Sequence, residues 1–349
     1  TQLFQKMPDG SYSAQKGVHG VLKQNPDASF TYTEKDGLQF NYGSPSSFFV
    51  SSLRSIQDRN GNTITLTRRS QPTSGPIVTD GPIFIDVVDS SGRKIELVYS
   101  GIFNTFAFKV GSQVLSIKDP AGNSTSFERD ADGNVIAITD PAGNMTTFEY
   151  YPNTRLMSKM TTPGGGIWQY EYDALGNCVK VTDPFNKVMT FQYNPSLRKT
   201  IYTDRRGSAE VIEYDTDRNI TKITDALGGV YSKTYDADSN VTSLTNQNGQ
   251  TVSYVYDSRG NILQAADGLG GVKKYTYDPI FNFLTSYTNP LGKTTTFEYD
   301  AKGNIIKTTD ALGNKLLYTH NAFGQMTTLT DPKGNVTSYE YDAYGNVAK

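Results

Sequence analysis

The stretch Tyr172-Asp173-Ala174-Leu175-Gly176-Asn177-Cys178-Val179-Lys180-Val181-Thr182-Asp183-Pro184, followed by Phe191-Gln192-Tyr193, decides the fold of this 349-residue chain. It contains two turn clusters and two short runs in which apolar and polar residues alternate. Alternation with period 2 marks a strand with one packed and one wet face. Asp, Ala or Pro, then Gly or Asn supply turn chemistry: a preset φ, a positive φ, and a carboxylate able to accept backbone N–H groups. The unit is therefore a β-hairpin of two short strands and two short turns.

The hairpin recurs. The second turn type returns at Asp119, Asp140, Thr162, Asp183, Asp204, Asp225, Asn246, Asp267, Asn289, Asp310 and Asp331, at intervals of 21 or 22 residues. In step with it runs a column of Arg129, Tyr150, Tyr172, Tyr193, Tyr214, Tyr235, Tyr256, Tyr277, Tyr299, His320 and Tyr341. Two residues before each of these stands another ring in most copies, such as Phe148, Tyr170, Phe191, Tyr254, Tyr275 and Phe297, with Ile212 and Lys233 as exceptions. The other arm is aliphatic, as in Val135-Ile136-Ala137-Ile138 and Ile305-Ile306-Lys307. About eleven repeats over 113–349 give some 22 strands, a ribbon on the order of 100 Å wide at the usual strand spacing. Sheets that wide curl, split or close. The expectation is an all-β fold of tandem antiparallel hairpins in a long ribbon that spirals into a tube or hollow shell. Residues 1–112 follow the same grammar less regularly, as in Ser55-Ile56-Gln57-Asp58-Arg59-Asn60-Gly61-Asn62, and read as a diverged lead-in to the sheet, with a separate small β domain as the lesser alternative. Gln71-Pro72-Thr73-Ser74-Gly75-Pro76 reads as a loop.

Composition agrees. The chain carries 23 Tyr, 17 Phe and 32 Gly with a single Trp. Lys plus Arg is 33 against 35 Asp plus Glu, a net charge of -2, so the basic excess of a nucleic-acid binder is missing. One Cys and two His leave no disulfide framework and no Cys- or His-rich metal site. No stretch reaches the roughly 18 apolar residues of a membrane-spanning helix. The sequence opens at Thr1, which reads as a mature form or a processed fragment.

Tyr172-Asp173-Ala174-Leu175-Gly176-Asn177 with Thr182-Asp183-Pro184, Phe297-Glu298-Tyr299-Asp300-Ala301-Lys302-Gly303-Asn304 and Thr330-Asp331-Pro332-Lys333-Gly334-Asn335 resemble the YD repeat of the Rhs family. That resemblance covers about two thirds of the chain. It implies the β-strip shell of bacterial Rhs and wall-associated toxins, of the C component of insecticidal toxin complexes and of teneurins. In the bacterial toxins such a shell encloses a variable C-terminal effector; in teneurins it belongs to an adhesion receptor. The conserved Asp-Pro-rich core segment that closes the bacterial shell and serves self-cleavage is not found in this sequence, so neither autoproteolysis nor a toxin domain falls on these residues.

The sites follow from the periodicity. Tyr150, Tyr172, Tyr193, Tyr214, Tyr235, Tyr256, Tyr277, Tyr299 and Tyr341 are expected to form a structural aromatic ladder, and Tyr256→Ala to cost about 3–5 kcal/mol as a buried aromatic truncation. Trp168, beside Gly164-Gly165-Gly166, is the candidate exposed binding aromatic, weighed against a filled repeat position. Cys178 stands in the aliphatic slot and reads as a small buried hydrophobe. Turn capping explains the recurring Asp and Asn without calcium. No catalytic, cofactor or metal residues are expected. The first functional reading is a secreted or cell-surface structural shell segment that encapsulates or displays its own C-terminal effector, or pairs with a missing shell continuation. The alternative is an extracellular adhesion or glycan-binding module that recognises a glycan or a cell-surface protein.

Overall fold

The computed structural model describes residues 4–15, 17–44, 52–69, 83–99 and 113–349. The loop expected at 71–76 lies outside the described residues. Within them are 31 β-strands and no helix, so the all-β expectation holds, and every strand pairing resolved is antiparallel between neighbours.

The chain divides into two compact units. The first comprises Thr1–Leu66, Val88–Arg93 and Ser232–Lys349. Its lead-in strands Val21–Gln24, Phe30–Thr33, Gln39–Tyr42 and Leu53–Gln57 pair in chain order. Its repeat strands run from Val241–Thr245 to Val336–Ser338 in the same manner. The second unit comprises Thr67–Val87 and Lys94–Tyr231 and carries the strands from Lys94–Tyr99 to Ile220–Thr224.

Each hairpin is built by the same local rules. In residues 140–144, Gly143 N–H donates to Asp140 O and Asp140 N–H to Asn144 O, both at 3.0 Å. This is a type I turn closed by a left-handed residue, and Gly143 at φ 84° supplies that residue without a Cβ penalty. At the other end of the hairpin the register slips by one residue immediately before the ladder tyrosine. Thr234 faces Ser243 but Tyr235 faces Val241, leaving Thr242 unopposed. The same bulge precedes Tyr150, Tyr172, Tyr214, Tyr256, Tyr277 and Tyr299. A bulge adds one residue and increases local twist, so its recurrence in most repeats, the hairpin after Tyr193 excepted, is an architectural device.

The ladder face carries the apolar load. Phe148 faces Met160, Tyr170 faces Val181 and Tyr254 faces Ala265, the aromatic-to-aliphatic order that the columns predict, while Tyr275 meets Tyr287 ring to ring at 5.5 Å. On the opposite face the residue between the two rings pairs across the strands. Lys159 meets Glu149 at 2.8 Å, Lys180 meets Glu171 at 2.7 Å and Lys307 meets Glu298 at 2.7 Å. Elsewhere hydroxyls replace the charges, as where Thr234 bonds Thr242 and Ser243. Among the described residues only Tyr32 and Ala137 are buried apolar residues, and neither is wholly enclosed. Ladder residues other than the exposed Tyr193 are half-buried, so stability comes from many partly covered contacts and continuous backbone pairing instead of a dense core.

Candidate functional site: tyrosine ladder, turn clasps and clefts

The bulge explains why the column is tyrosine and not phenylalanine. Val241 and Thr242 run past the last register pair that their strand makes with Thr251–Tyr256, which is Ser243 with Ser253. The Tyr256 hydroxyl reaches across that gap and donates to Val241 O at 2.8 Å. The same bond, always to the carbonyl 15 residues earlier, joins Tyr150 to Val135 (2.7 Å), Tyr172 to Met157 (3.0 Å) and Tyr193 to Cys178 (2.9 Å). It also joins Tyr277 to Ile262 (3.0 Å), Tyr299 to Leu284 (2.8 Å) and Tyr341 to Met326 (2.7 Å). Tyr214 and Tyr235 occupy the same slot, opposite Ile220 and Val241. Burial pushes the phenols of Tyr150, Tyr172, Tyr256, Tyr277 and Tyr299 above their ordinary value, which keeps them donors. Arg129, in the first ladder slot, substitutes for the hydroxyl by donating Nε to Val114 O at 3.3 Å. His320 does not: its Nδ1 is buried and unpartnered. Sequence reading found the column but missed its bond, which the fixed 15-residue offset between Tyr and the first aliphatic residue could have indicated.

The turns form clasps. Asp173 Oδ1 accepts the N–H groups of Leu175 and Asn177 while Oδ2 accepts Asn177 Nδ2, all at 2.9 Å. The Asn177 amide, then its backbone N–H, hold the Asp173 carboxyl below the usual range. The Asn of Gly-Asn is thus the partner of the Asp of Tyr-Asp. In residues 183–187 the partner is Lys187, so Asp183 keeps its two backbone bonds while its buried Oδ2 has no hydrogen bond. Arg205 Nη1 stands 3.6 Å from it.

In the first unit the lead-in turns sit on repeat turns, a contact that local sequence gives no sign of. Asn304 Nδ2 donates to Asn60 Oδ1 and Asn62 Nδ2 to Phe323 O, both at 2.9 Å. Asn282 Nδ2 donates to Lys35 O at 3.2 Å, and Arg59 lies 4.7 Å above the Phe283 ring. A cleft of about 650 Å³ beside this seam is lined by Leu38, Ile56, Ile64, Phe323 and Tyr344 together with turn residues such as Asp89 and Arg93. Several of its polar groups are already engaged: Asp89 holds Ser91 and Arg93, and Gln325 donates to Gly345 O.

Trp168 is half-buried rather than exposed. It stands opposite Met160, in alternation with Tyr170 and Tyr172, because the Gly-rich turn before it preserves the repeat register. Cys178 is half-buried opposite Tyr172, less enclosed than expected, because a ribbon covered on one face cannot enclose a small side chain. The buried-aromatic cost expected for Tyr256→Ala falls for the same reason, since the ring is half-buried. No group of three or more His, Cys, Asp or Glu side chains suited to a metal occurs among the described residues.

The RHS repeat model matches residues 110–145, 129–167, 150–188, 235–272, 281–315 and 320–349, together just over half of the chain. The chain belongs to the RHS repeat family. No curated protein matches the sequence. The fold is similar to that in a crystal structure of TcdB2-TccC3-TEV, at 13% identity and a TM-score of 0.55, over 99% of this chain and 24% of that one. A crystal structure of TcdB2-TccC3 aligns over 99% of this chain and 25% of that one at 13% identity, with a TM-score of 0.47. A porin-like protein from Bacteroides uniformis aligns over 58% of this chain and 92% of that one at 14% identity, with a TM-score of only 0.25. This RHS chain thus spans about a quarter of the length of the TcdB2-TccC3 chains it matches.

Proposed function

We propose that this chain is a structural wall segment whose RHS repeats enclose or display a C-terminal effector domain of the same polypeptide. The observation that carries this reading is where the polar chemistry is spent. Ladder hydroxyls are committed to backbone carbonyls, and turn carboxylates to their own N–H groups and Asn partners. Residue types that elsewhere serve catalysis here brace the ribbon, which suits a wall. The likeness in fold to TcdB2-TccC3-TEV and the Rhs resemblance support the same role, and a secreted or cell-surface location goes with it.

The experiment is protease protection of the full-length gene product. A downstream effector domain should resist digestion while the repeats are folded and become sensitive once about 4 M urea opens them. Equal digestion of the effector with and without the repeats would refute encapsulation.

A second reading, an adhesion module, is favoured by one specific feature. In three successive turns of the first unit the third residue is an outward leucine: Leu269, Leu291 and Leu312, exposed by 93, 83 and 82%. Equivalent turns lie two strands, about 9.6 Å, apart. Such a row suits contact with another protein more than with a glycan. Replacing all three with Ser should abolish capture of a cell-surface partner under this reading and leave effector protection unchanged under the first.

A further inference from the structure

The regular repeat is broken most clearly around the turns at 194–199 and 215–219, neighbours at one end of the hairpins within the second unit. The first has one more residue than the usual turn, and its flanking strands pair from Thr190–Thr203 to Asn194–Lys199 without the bulge found elsewhere. Both turns place arginine in the left-handed position that glycine fills in the turns at 173–177 and 257–261: Arg198 at φ 50° and Arg218 at φ 69°. Ala28 and Ser239 show that other side chains are tolerated at positive φ, but only here do two adjacent turns both present a guanidinium. Non-glycine residues in this region carry strain, and strained positions concentrate at functional sites.

Between these turns lies a cleft of about 340 Å³ lined by Tyr193, Pro195, Arg198, Lys199, Tyr214 and Arg218, among others. Tyr193 is the most exposed member of the ladder at 42%, and its hydroxyl is already committed to Cys178 O, so its free surface is the ring. The charges nearby are unequally spent. The Asp215 carboxylate accepts the N–H groups of Asp217 and Asn219 and the Asn219 amide. Lys199 lies 3.4 Å from Glu213. Arg198 gives only Nε to Tyr214 O at 3.3 Å, leaving its two terminal nitrogens for another acceptor. The strands on both sides are paired with their neighbours, so there is no open sheet edge for an extended peptide to join.

We propose that this cleft binds a small ligand in which an oxyanion is carried by a molecule with a ring that can lie face-on against an aromatic side chain. The ring lies on Tyr193, beside Tyr214 and Pro195, and the oxyanion is taken by the guanidinium groups of Arg198 and Arg218. Arginine matches planar carboxylate and phosphate oxygens with paired donors, which lysine does not. The cleft volume lies at the small end of ligand sites and holds one or two rings. Two sources share this chemistry, a nucleoside phosphate and a uronic acid.

The test is calorimetric titration of the chain with adenosine 5′-monophosphate and with digalacturonate, beside adenosine, galactose and inorganic phosphate. Arg198→Gly and Arg218→Gly restore the glycine of neighbouring repeats, so the double variant should melt no lower than the parent. One of the two anionic ring ligands should bind saturably and identify the source, with affinity falling about ten-fold or more in the double variant. R198K/R218K should recover part of the loss through charge alone. No saturable binding of either ligand by about 10 mM would overturn the proposal. So would equal binding by the double variant, by the neutral counterparts, or by phosphate without its ring.

Discussion

Tyr256→Phe separates the ladder's hydroxyl from its ring. The substitution keeps the ring beside Tyr254, centroids 6.4 Å apart, and removes only the bond to Val241 O. A neutral hydrogen bond contributes about 0.5–1.5 kcal/mol net, and an acceptor left buried without a partner costs about 1–3 kcal/mol. Val241 is half-buried, so water can recover part of the loss, and a cost of about 1 kcal/mol follows. Tyr256→Ala also removes the ring. Full burial would make that about 3–5 kcal/mol, and half-burial reduces the total to about 2–3 kcal/mol. Stacked repeats open locally, so a single melting temperature would dilute the effect, whereas native-state hydrogen exchange reads it in place. Amides of Val241–Thr245 and Thr251–Tyr256 should exchange about five-fold faster in the Phe variant. Those of Met145–Tyr150 should keep their rates. Unchanged exchange at Val241–Thr245, or an equal change in every strand, would refute the view that the hydroxyl clamps the bulge locally.

Other outcomes follow from the same geometry. His320→Tyr should raise stability by about 1 kcal/mol, because a hydroxyl in that slot would reach the Ile305 carbonyl as its neighbours reach theirs, and chemical denaturation would measure the gain. Arg59→Ala should cost about 0.5–2 kcal/mol by uncovering Phe283, and Asn304→Ala a comparable amount by releasing Asn60; both should loosen the lead-in turns, seen as faster proteolysis near residue 60. Acid should weaken the turns. The carboxyls of Asp119, Asp140, Asp173, Asp331 and Asp342 are held below their ordinary value of 3.8, first by the side-chain amide of their Asn partner. That stabilisation is complete above the unfolded value and is lost as pH falls through the lower folded values. Asp89, lowered to about 2 chiefly by Ser91, sets the lower part of the window. Melting temperature should therefore be level above about pH 5 and fall between about pH 4 and 2; a level profile across that range would contradict the clasp.

The fold was legible because it is periodic. Two rings, a polar residue between them, an aliphatic arm and two turns recur in the letters themselves, and each maps to a local geometry. The turn at 140–144 could be read from Asp, Pro and Gly because Pro presets φ, Gly permits a positive φ and the Asp carboxylate accepts the turn's N–H groups wherever they stand. The Tyr256 bond could not be read so directly, since a hydroxyl has many potential acceptors until the bulge brings one carbonyl within 2.8 Å. The seam of Asn60 on Asn304 was beyond sequence reading altogether, as it joins turns 244 residues apart through side chains common to every turn.

Rarity of a residue type is a poor guide to a site in a repeat array. Trp168 is the single tryptophan, but composition measures rarity and not exposure, and its register leaves it half-buried opposite Met160. A more useful signal is a residue that breaks a backbone requirement. Arg198 and Arg218 take positions where glycine costs nothing and arginine costs about 1–2 kcal/mol each. In a repeat array the tolerated cost is informative, because neighbouring copies show the same turn made without it. Replacement by glycine should therefore raise stability while removing whatever the guanidinium groups hold. If stability rises and no ligand is lost, the arginines are merely tolerated, and the second unit is wall throughout.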